Sequence, residues 1–531
     1  MKTQMTVPYF IRRARTVFRD TPAVVCGEVR LTYGELAERI DRFSNALAGL
    51  GVKAGDVVAY LSFNCHRLLE GYYAVPQMGA ILLPINIRLT PDDIGYILHD
   101  SGATTVVVDR ALVGLLAPVL PMLPAVKNVM LMGGDPKADL PLKGSDYEAL
   151  ITKAPSVFQG PDLDEDDVAE LFYTSGTTAR PKGVMLTHRN LYAHAFSALA
   201  QMHSDDTTVM LHSIPLFHVN GWGTPHFLTM QGGRHVMLPR FDPEHVLETI
   251  ERERITGIFM VPTMAVALMN APSWRTRDLS SLERVMLGGA ATPPPLLKAL
   301  DERLPECDVL CGYGLSETSP ILTSAKPKAS MKLDKSGSLP YRATAGTPIP
   351  GVEVEVLDAD NKPLPHDGKS VGEICARGNV VFAGYWKQPE ETAKVIVDGW
   401  FHTGDIGTID EENYVSVLDR KKDIIITGGE NIASIEIEKA ICDHPAVLEC
   451  AVIAVPDEKW GEVPAALIVL KSGASLDAAE LVEHCRQRLA HFKVPKHVRF
   501  VESLPKGGTG KILKRELRAN FAKEPAPAPA R

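Results

Sequence analysis

The chain lacks what would place it in a membrane, outside the cell or on nucleic acid. Its longest uncharged apolar stretch, ALVGLLAPVLPMLPAV (111–126), is too short to cross a bilayer and carries three prolines, which interrupt helices. The N-terminal stretch MKTQMTVPYFIRRARTVF has charge but no apolar core of a secretory signal. The 8 cysteines are scattered, and the closest pair, Cys307 and Cys311, has neither zinc-ribbon spacing nor a second pair beside it. Reduced, mostly buried thiols are expected. Positive charge is also short: 56 Lys and Arg against 65 Asp and Glu leave a net charge of −9, the wrong sign for a general binder of phosphate backbones. No strongly basic amphipathic segment supports a membrane-surface role, and no internal repeat is visible. These absences point to a cytoplasmic globular protein with no nucleic-acid partner and no transmembrane segment.

A chain of 531 residues exceeds one ordinary hydrophobic core, so two or more domains are expected, and 45% hydrophobic with 23% charged residues is a globular composition. Through the first 300 residues or so, strand-like runs such as VVAYLSF, AILLPIN and TTVVVD alternate with helical stretches such as TYGELAERIDRFSNALAGLG. That alternation predicts stacked α/β layers with largely parallel sheets. From about 340 to 418 the texture becomes short β segments with turns, an antiparallel region. After the charge cluster DRKKD (419–423) comes a compact unit: IEIEKAICDHPAV as a helix, LECAVIAVPD and PAALIVLK as strands, LDAAELVEHCRQRLAHF as a helix. The chain closes on an Ala/Pro tail expected to be extended and disordered.

One loop concentrates chemistry. YTSGTTARPKG (173–183) follows the apolar strand VAELFYT and precedes the helical spacing of THRNLYAHAFSAL. Its hydroxyls, backbone N–H groups and Lys182 can converge on one polyanion. Alone, such a loop is more often a solvated turn. Four further stretches share its character: GGAAT (288–292), CGYGLSETSP (311–320), WFHTGDIG (400–407) and PKGGTGKI (505–512), with DRKKDIIITGGENIASIEIE (419–438) between the last two.

In this order and spacing these stretches closely resemble the adenylate-forming superfamily of acyl-CoA synthetases, firefly luciferases and nonribosomal adenylation domains, from about residue 10 to 520. The resemblance implies a large α/β plus β-barrel N-terminal domain over 1–418, a hinge at 419–422, a small α+β C-terminal lid over 423–521, and the tail at 522–531. It implies a reaction in two halves: a carboxylate attacks the α-phosphate of ATP to give acyl-AMP and pyrophosphate, then the thiol of coenzyme A displaces AMP. ATP and coenzyme A are the implied co-substrates and Mg²⁺ the implied cofactor. Many relatives are homodimers.

The resemblance assigns roles residue by residue. Thr174, Ser175, Gly176, Thr177, Thr178 and Lys182 would hold the β- and γ-phosphates. Ala179 stands where the family commonly has glycine; a left-handed backbone there would cost alanine about 1 kcal/mol. Gly289, Ala290 and Ala291 would let adenine and the acyl group approach the backbone, and Tyr313, between Gly312 and Gly314, would lie against adenine. Ser316 stands where the family usually has a threonine on the α-phosphate; Glu317 would bind Mg²⁺, Asp405 both ribose hydroxyls and Arg420 the ribose-phosphate. Lys422 would be the hinge, and Lys511 the catalytic cation of the first half-reaction. Gly428, Gly429, Glu430 and Asn431 would line the pantetheine channel, with Arg240 near the nucleotide end of coenzyme A.

For the acid, PLFHVNGWGTPHF (215–227) resembles the family's substrate segment, with His218 between the acyl and thiol channels. HVNGW offers no carboxylate to pair with an amino-acid ammonium, so amino acids are not expected. Trp222 resembles the indole of medium- and long-chain fatty acyl-CoA ligases and of relatives acting on short thioether or aryl acids; Gly221, Gly223 and Gly288 leave room around it. A medium- or long-chain fatty acid or similar apolar acid is the first expectation and a short thioether or aryl acid the second. An acyl-AMP ligase loading a carrier protein, a luciferase-like oxidase and a non-catalytic nucleotide-binding regulator are the competing readings.

Overall fold

The computed structural model describes residues 3–174, 180–427, 430–457, 459–506 and 512–521. Two large sheets dominate the first 350 residues or so. One has nine strands, with a parallel centre formed by Val209–His212, Arg234–Met237, Gly257–Met260, Arg284–Gly288 and Asp308–Tyr313. The other has eight, with Ile81–Pro84, Val57–Leu61, Thr105–Asp109 and Asn128–Met132 parallel and Val168–Thr174 paired parallel to Ile81–Pro84.

Alternation along each strand explains the layering. In Val57–Leu61, Val58 and Tyr60 enter the central core, whereas Val57, Ala59 and Leu61 face an outer one. In the other sheet Met210, Phe259 and Met286 face the same central core while Leu211, Ile258, Met260 and Val285 face outward. A strand buried on both faces must be apolar at every position, which is why these runs read as unbroken hydrophobic stretches. Helices Tyr33–Gly49, His188–Met202 and Thr224–Gln231 contribute to the central core and others cover the outer faces, giving five layers, αβαβα. Tyr33–Gly49 starts where the sequence says it should: Thr32 and Glu35 form a reciprocal cap, as do Thr187 and Asn190 for His188–Met202.

The antiparallel region is a five-stranded sheet of Val352–Leu357, Gly372–Gly378, Ile396–Val397, Trp400–Ile409 and Val415–Arg420. The last unit is a second five-stranded sheet, Ile425–Thr427, Glu430–Ile432, Val447–Asp457, Gly461–Leu470 and His497–Phe500, with separate apolar clusters on its two faces. Its helices are shorter than the periodicity predicts. Ser434–Cys442 stops before His444-Pro445, because proline cannot continue the helix and disfavours helical backbone at the residue before it. Ala478–Arg486 begins at the Asp477 cap and ends well before Phe492, which lies in a separate short turn.

Candidate active site

Two of these strands end side by side, and a third enters the hairpin whose Lys182 lies by Tyr385, the partner of Glu317. In open α/β sheets, ligands collect at the carboxyl ends of the strands. Arg284–Gly288 and Asp308–Tyr313 run parallel with Gly288 opposite Gly312, and Val168–Thr174 ends at the loop entry, where Thr174 lies opposite Lys182 across an antiparallel hairpin.

The acidic side of the site is built on Glu317. Tyr385 donates its hydroxyl to Glu317 Oε1 at 3.0 Å, and the Phe382 N–H donates to the Glu317 carbonyl at 2.9 Å. Burial raises the Glu317 carboxyl above its usual range; the Tyr385 hydrogen bond and the Arg420 charge pull the other way. Lys182 pairs with Glu391 and sits 5.0 Å from the centre of the Tyr385 ring. Ser316 is buried beside Glu317. Gly314 is required: a Cβ there would lie 1.9 Å from the Pro320 carbonyl oxygen.

The other side is built on Asp405, which is 2% exposed. Tyr313 donates its hydroxyl to Asp405 Oδ2 at 2.6 Å, and Arg420 Nε lies 2.8 Å from Oδ1. The Asp405 and Arg420 Cα atoms are partners across neighbouring strands, so the pair is set by sheet register. Burial and the Asp405 charge raise the Tyr313 hydroxyl well above its usual range and keep it a donor. Gly289 follows with φ 77°, and Ala290 and Ala291 are exposed, so this edge carries little side chain.

The segment expected to meet the acid contains a left-handed turn. Val219, Asn220, Gly221, Trp222 and Gly223 have φ of 40°, 42°, 56°, 66° and 86°. Glycine adopts this freely; each L residue costs about 1–2 kcal/mol, so three of them store several kcal/mol that surrounding contacts must offset. Its product is the place of Trp222: the indole stacks 6.0 Å from the Phe259 ring and lies against Gly288, where a Cβ would approach it to 3.1 Å. Gly288 therefore gives room to the indole itself. Phe227 packs behind, 6.3 Å from Phe259. His218 caps this turn and is half-buried.

Other expected residues stand apart. Arg240 is exposed, its guanidinium 4.7 Å from the centre of the Phe63 ring. Lys422 is exposed in the turn after Arg420, and Glu430 is exposed in the short strand Glu430–Ile432, with Asn431 beside it. Ser175, Gly176, Thr177, Thr178, Ala179, Gly428, Gly429 and Lys511 lie outside the described residues. The sequence reading missed Tyr385 and Glu391, which hold Glu317 and Lys182 from 68 and 209 residues away along the chain. Neither sits in a motif, and only the edge pairing of Gly384–Tyr385 onto Lys182–Thr187 brings them in.

Among the described residues no group of three or more His, Cys, Asp or Glu could cage a metal. The donor set fits Mg²⁺ nonetheless, since that ion takes one or two carboxylates and completes its shell with phosphates and water. Glu317, a hard oxygen donor held by Tyr385, is the carboxylate that would hold it.

Comparison with known proteins shows the family. Residues 11–386 match the family model of the AMP-binding enzymes and residues 436–511 that of the AMP-binding enzyme C-terminal domain. The chain is 39% identical to a feruloyl-CoA synthase of Amycolatopsis sp over 98% of its own length and 100% of that protein's. It is 37% identical to a long-chain-fatty-acid–CoA ligase of Thermus thermophilus, over 98% and 96%. The crystal structure of an anthranilate CoA ligase in complex with anthranoyl-AMP superposes with a TM-score of 0.88 at 26% identity, covering 98% of both chains. The strand-end site and these likenesses together establish that the chain belongs to the AMP-binding, adenylate-forming enzyme family and is an acid–thiol ligase of the acyl-CoA synthetase class.

Proposed function

We propose that the protein joins a compact apolar carboxylic acid, an aryl or short-chain acid, to coenzyme A through an acyl-AMP intermediate. The reading of the acid class rests on the wall of Trp222, Phe259 and Phe227 against Gly288, taken as one side of the acyl site, where bulky rings disfavour a long acyl chain. A flat ring or a few methylenes fits beside such a wall, and aromatic faces favour stacked or edge contacts with another ring. A medium- or long-chain fatty acid is the second reading, favoured if the indole swings away from Gly288.

Asp405 accepts from the ribose hydroxyls, Tyr313 and the Gly289–Ala291 edge take adenine, Arg420 meets the ribose-phosphate, and Ser316 the α-phosphate. Thr174 through Thr178 and Lys182 hold the β- and γ-phosphates. Glu317 would hold Mg²⁺, which would neutralise phosphate charge. Lys511 approaches the reacting carboxylate and α-phosphate; an ammonium about 4 Å away at an effective dielectric of about 20 is worth roughly 4 kcal/mol, or about a thousandfold in rate. Residues 419–422 form the hinge between domains 1–418 and 423–521, and exposed Lys422 absorbs the backbone change. After rotation, Gly428 to Asn431 line the thiol channel, His218 separates it from the acyl site, and Arg240 meets the nucleotide end of coenzyme A.

The test is pyrophosphate release from Mg·ATP with a panel of acids from propionate to palmitate plus benzoate, ferulate and a thioether acid, with and without coenzyme A. The reading expects turnover that requires coenzyme A and peaks at an aryl or short acid. A peak at palmitate overturns the acid class. Release that stops near one equivalent whether or not coenzyme A is present points to a carrier protein as acceptor.

A further inference from the structure

Glu170 has no part in the chemistry above, yet it is 0% exposed, four residues before Thr174 on the same strand. A buried carboxylate is costly unless it is paired or hydrogen-bonded. Its two oxygens face different partners, and of the two only Oε2 has a hydrogen bond among the described residues. Oε2 accepts from Asn220 Nδ2 at 3.0 Å, in the middle of the left-handed turn, and Oε1 lies 3.1 Å from His226 Nε2, on the helix that leaves the turn. Both partners are also 0% exposed.

Other buried side chains hold the ends of the same segment. Asn64 accepts from the Leu216 N–H at 2.7 Å, Tyr72 donates to the Leu216 carbonyl at 2.6 Å, and Tyr73 donates to the Pro225 carbonyl at 2.6 Å. In the middle, where Val219, Asn220 and Trp222 hold unfavourable φ, Thr224 donates its hydroxyl to the Gly221 carbonyl at 3.2 Å and Asn220 reaches the other sheet through Glu170. Asn220 Oδ1 has no hydrogen-bond partner among the described residues, so the contact with Glu170 is the polar anchor of that side chain.

We propose that Glu170 is a positioning residue for the acyl wall: through Asn220 and His226 it fixes the left-handed turn, holds Trp222 against Gly288 and so limits the size of acid admitted. This rests on the reading of Trp222 as the wall of the acyl site. Because Glu170 and Thr174 share a strand, the same carboxylate ties the acyl wall to the entry of the phosphate loop.

Two substitutions test it. Asn220→Gly retains the freedom to adopt positive φ but deletes the anchor; Glu170→Gln keeps shape and an acceptor but removes the charge facing His226. Each is assayed for KM of ATP and of every acid in the panel. Each is also compared with its own Trp222→Phe derivative, so that the difference in emission isolates Trp222. The expected result for Asn220→Gly is a rise of about tenfold in KM for the preferred acid, the scale of one buried hydrogen bond to a charged group, with KM for ATP within about twofold of the parent. The acid optimum moves toward longer chains and Trp222 emission shifts to the red. Glu170→Gln moves both readouts the same way by less. Folded variants with an unchanged acid profile and unchanged Trp222 emission overturn the proposal, as does a rise in KM for ATP in step with that for acid. Should Glu170→Gln fail to fold, Asn220→Gly decides alone. A parent enzyme that prefers palmitate refutes the compact-acid reading, and the change in KM for the preferred acid and in Trp222 emission between parent and variant then decides this proposal.

Discussion

Replacing Asp405 by asparagine removes one charge and almost no volume, so it separates what the carboxylate does for nucleotide binding from what it does for the fold. For binding, two ribose hydroxyls that donate to a carboxylate would donate to an amide instead. Hydrogen bonds to charged groups are worth roughly 1.5–3 kcal/mol and neutral ones roughly 0.5–1.5, so the pair loses about 2 kcal/mol, or about thirtyfold in affinity. For the fold, the Arg420 pair is weakened, but its guanidinium side chain is 42% exposed, and such pairs contribute about 0–1 kcal/mol. The Tyr313 hydroxyl keeps an acceptor at Oδ2 if the amide is oriented with its oxygen there. Binding loss should therefore exceed stability loss. Asp405→Asn is expected to raise KM for ATP about thirtyfold, leave KM for the acid nearly unchanged and shift Tm by no more than about 3 °C. Pyrophosphate release under ATP titration, with calorimetry for Tm, reads all three. ATP affinity within twofold of the parent in a folded variant would refute the ribose assignment.

Lys511→Ala is expected to abolish acyl-AMP formation while still converting supplied acyl-AMP and coenzyme A to thioester; equal loss of both half-reactions in single-turnover assays would refute the division of labour. Gly288→Ala puts a Cβ 3.1 Å from both the Gly312 carbonyl oxygen and the Trp222 ring, and since the backbone cannot give, the indole must. KM should rise most for the bulkiest accepted acid and least for the smallest; a uniform rise across the panel refutes the wall. Burial pushes His66, His194 and His212 down to about 3 and His188 to about 4, so the folded state refuses protons that the unfolded chain takes up below about 6.5. Stability from these groups is present above that value and is lost as pH falls below it, by about 2 kcal/mol per histidine at pH 5, about 8 in all. A urea midpoint that stays level from pH 7.5 to 5 would refute it.

The sequence alone carried the parts of this protein that are written locally. Runs apolar at every position mark strands buried on both faces, and Thr32-Glu35 and Thr187-Asn190 mark helix starts, because the groups that satisfy one another lie three residues apart. The loop and the later motif stretches carried the family, since phosphate, ribose and adenine contacts need particular side chains and glycines at short spacing. Tertiary structure decided what depends on partners distant in sequence. Tyr385 meets Glu317 because an edge strand pairs onto Lys182–Thr187, and Asp405 meets Arg420 because two strands pair in one register and not the next. Gly288 read as room around an indole in the sequence and is the surface the indole rests on in the structure. Glu170 went unremarked inside the apolar strand VAELFYT. Only the packing of one sheet against a helix from the other layer gave it Asn220 and His226, because a buried charge is defined by what surrounds it and those neighbours are 50 and more residues away.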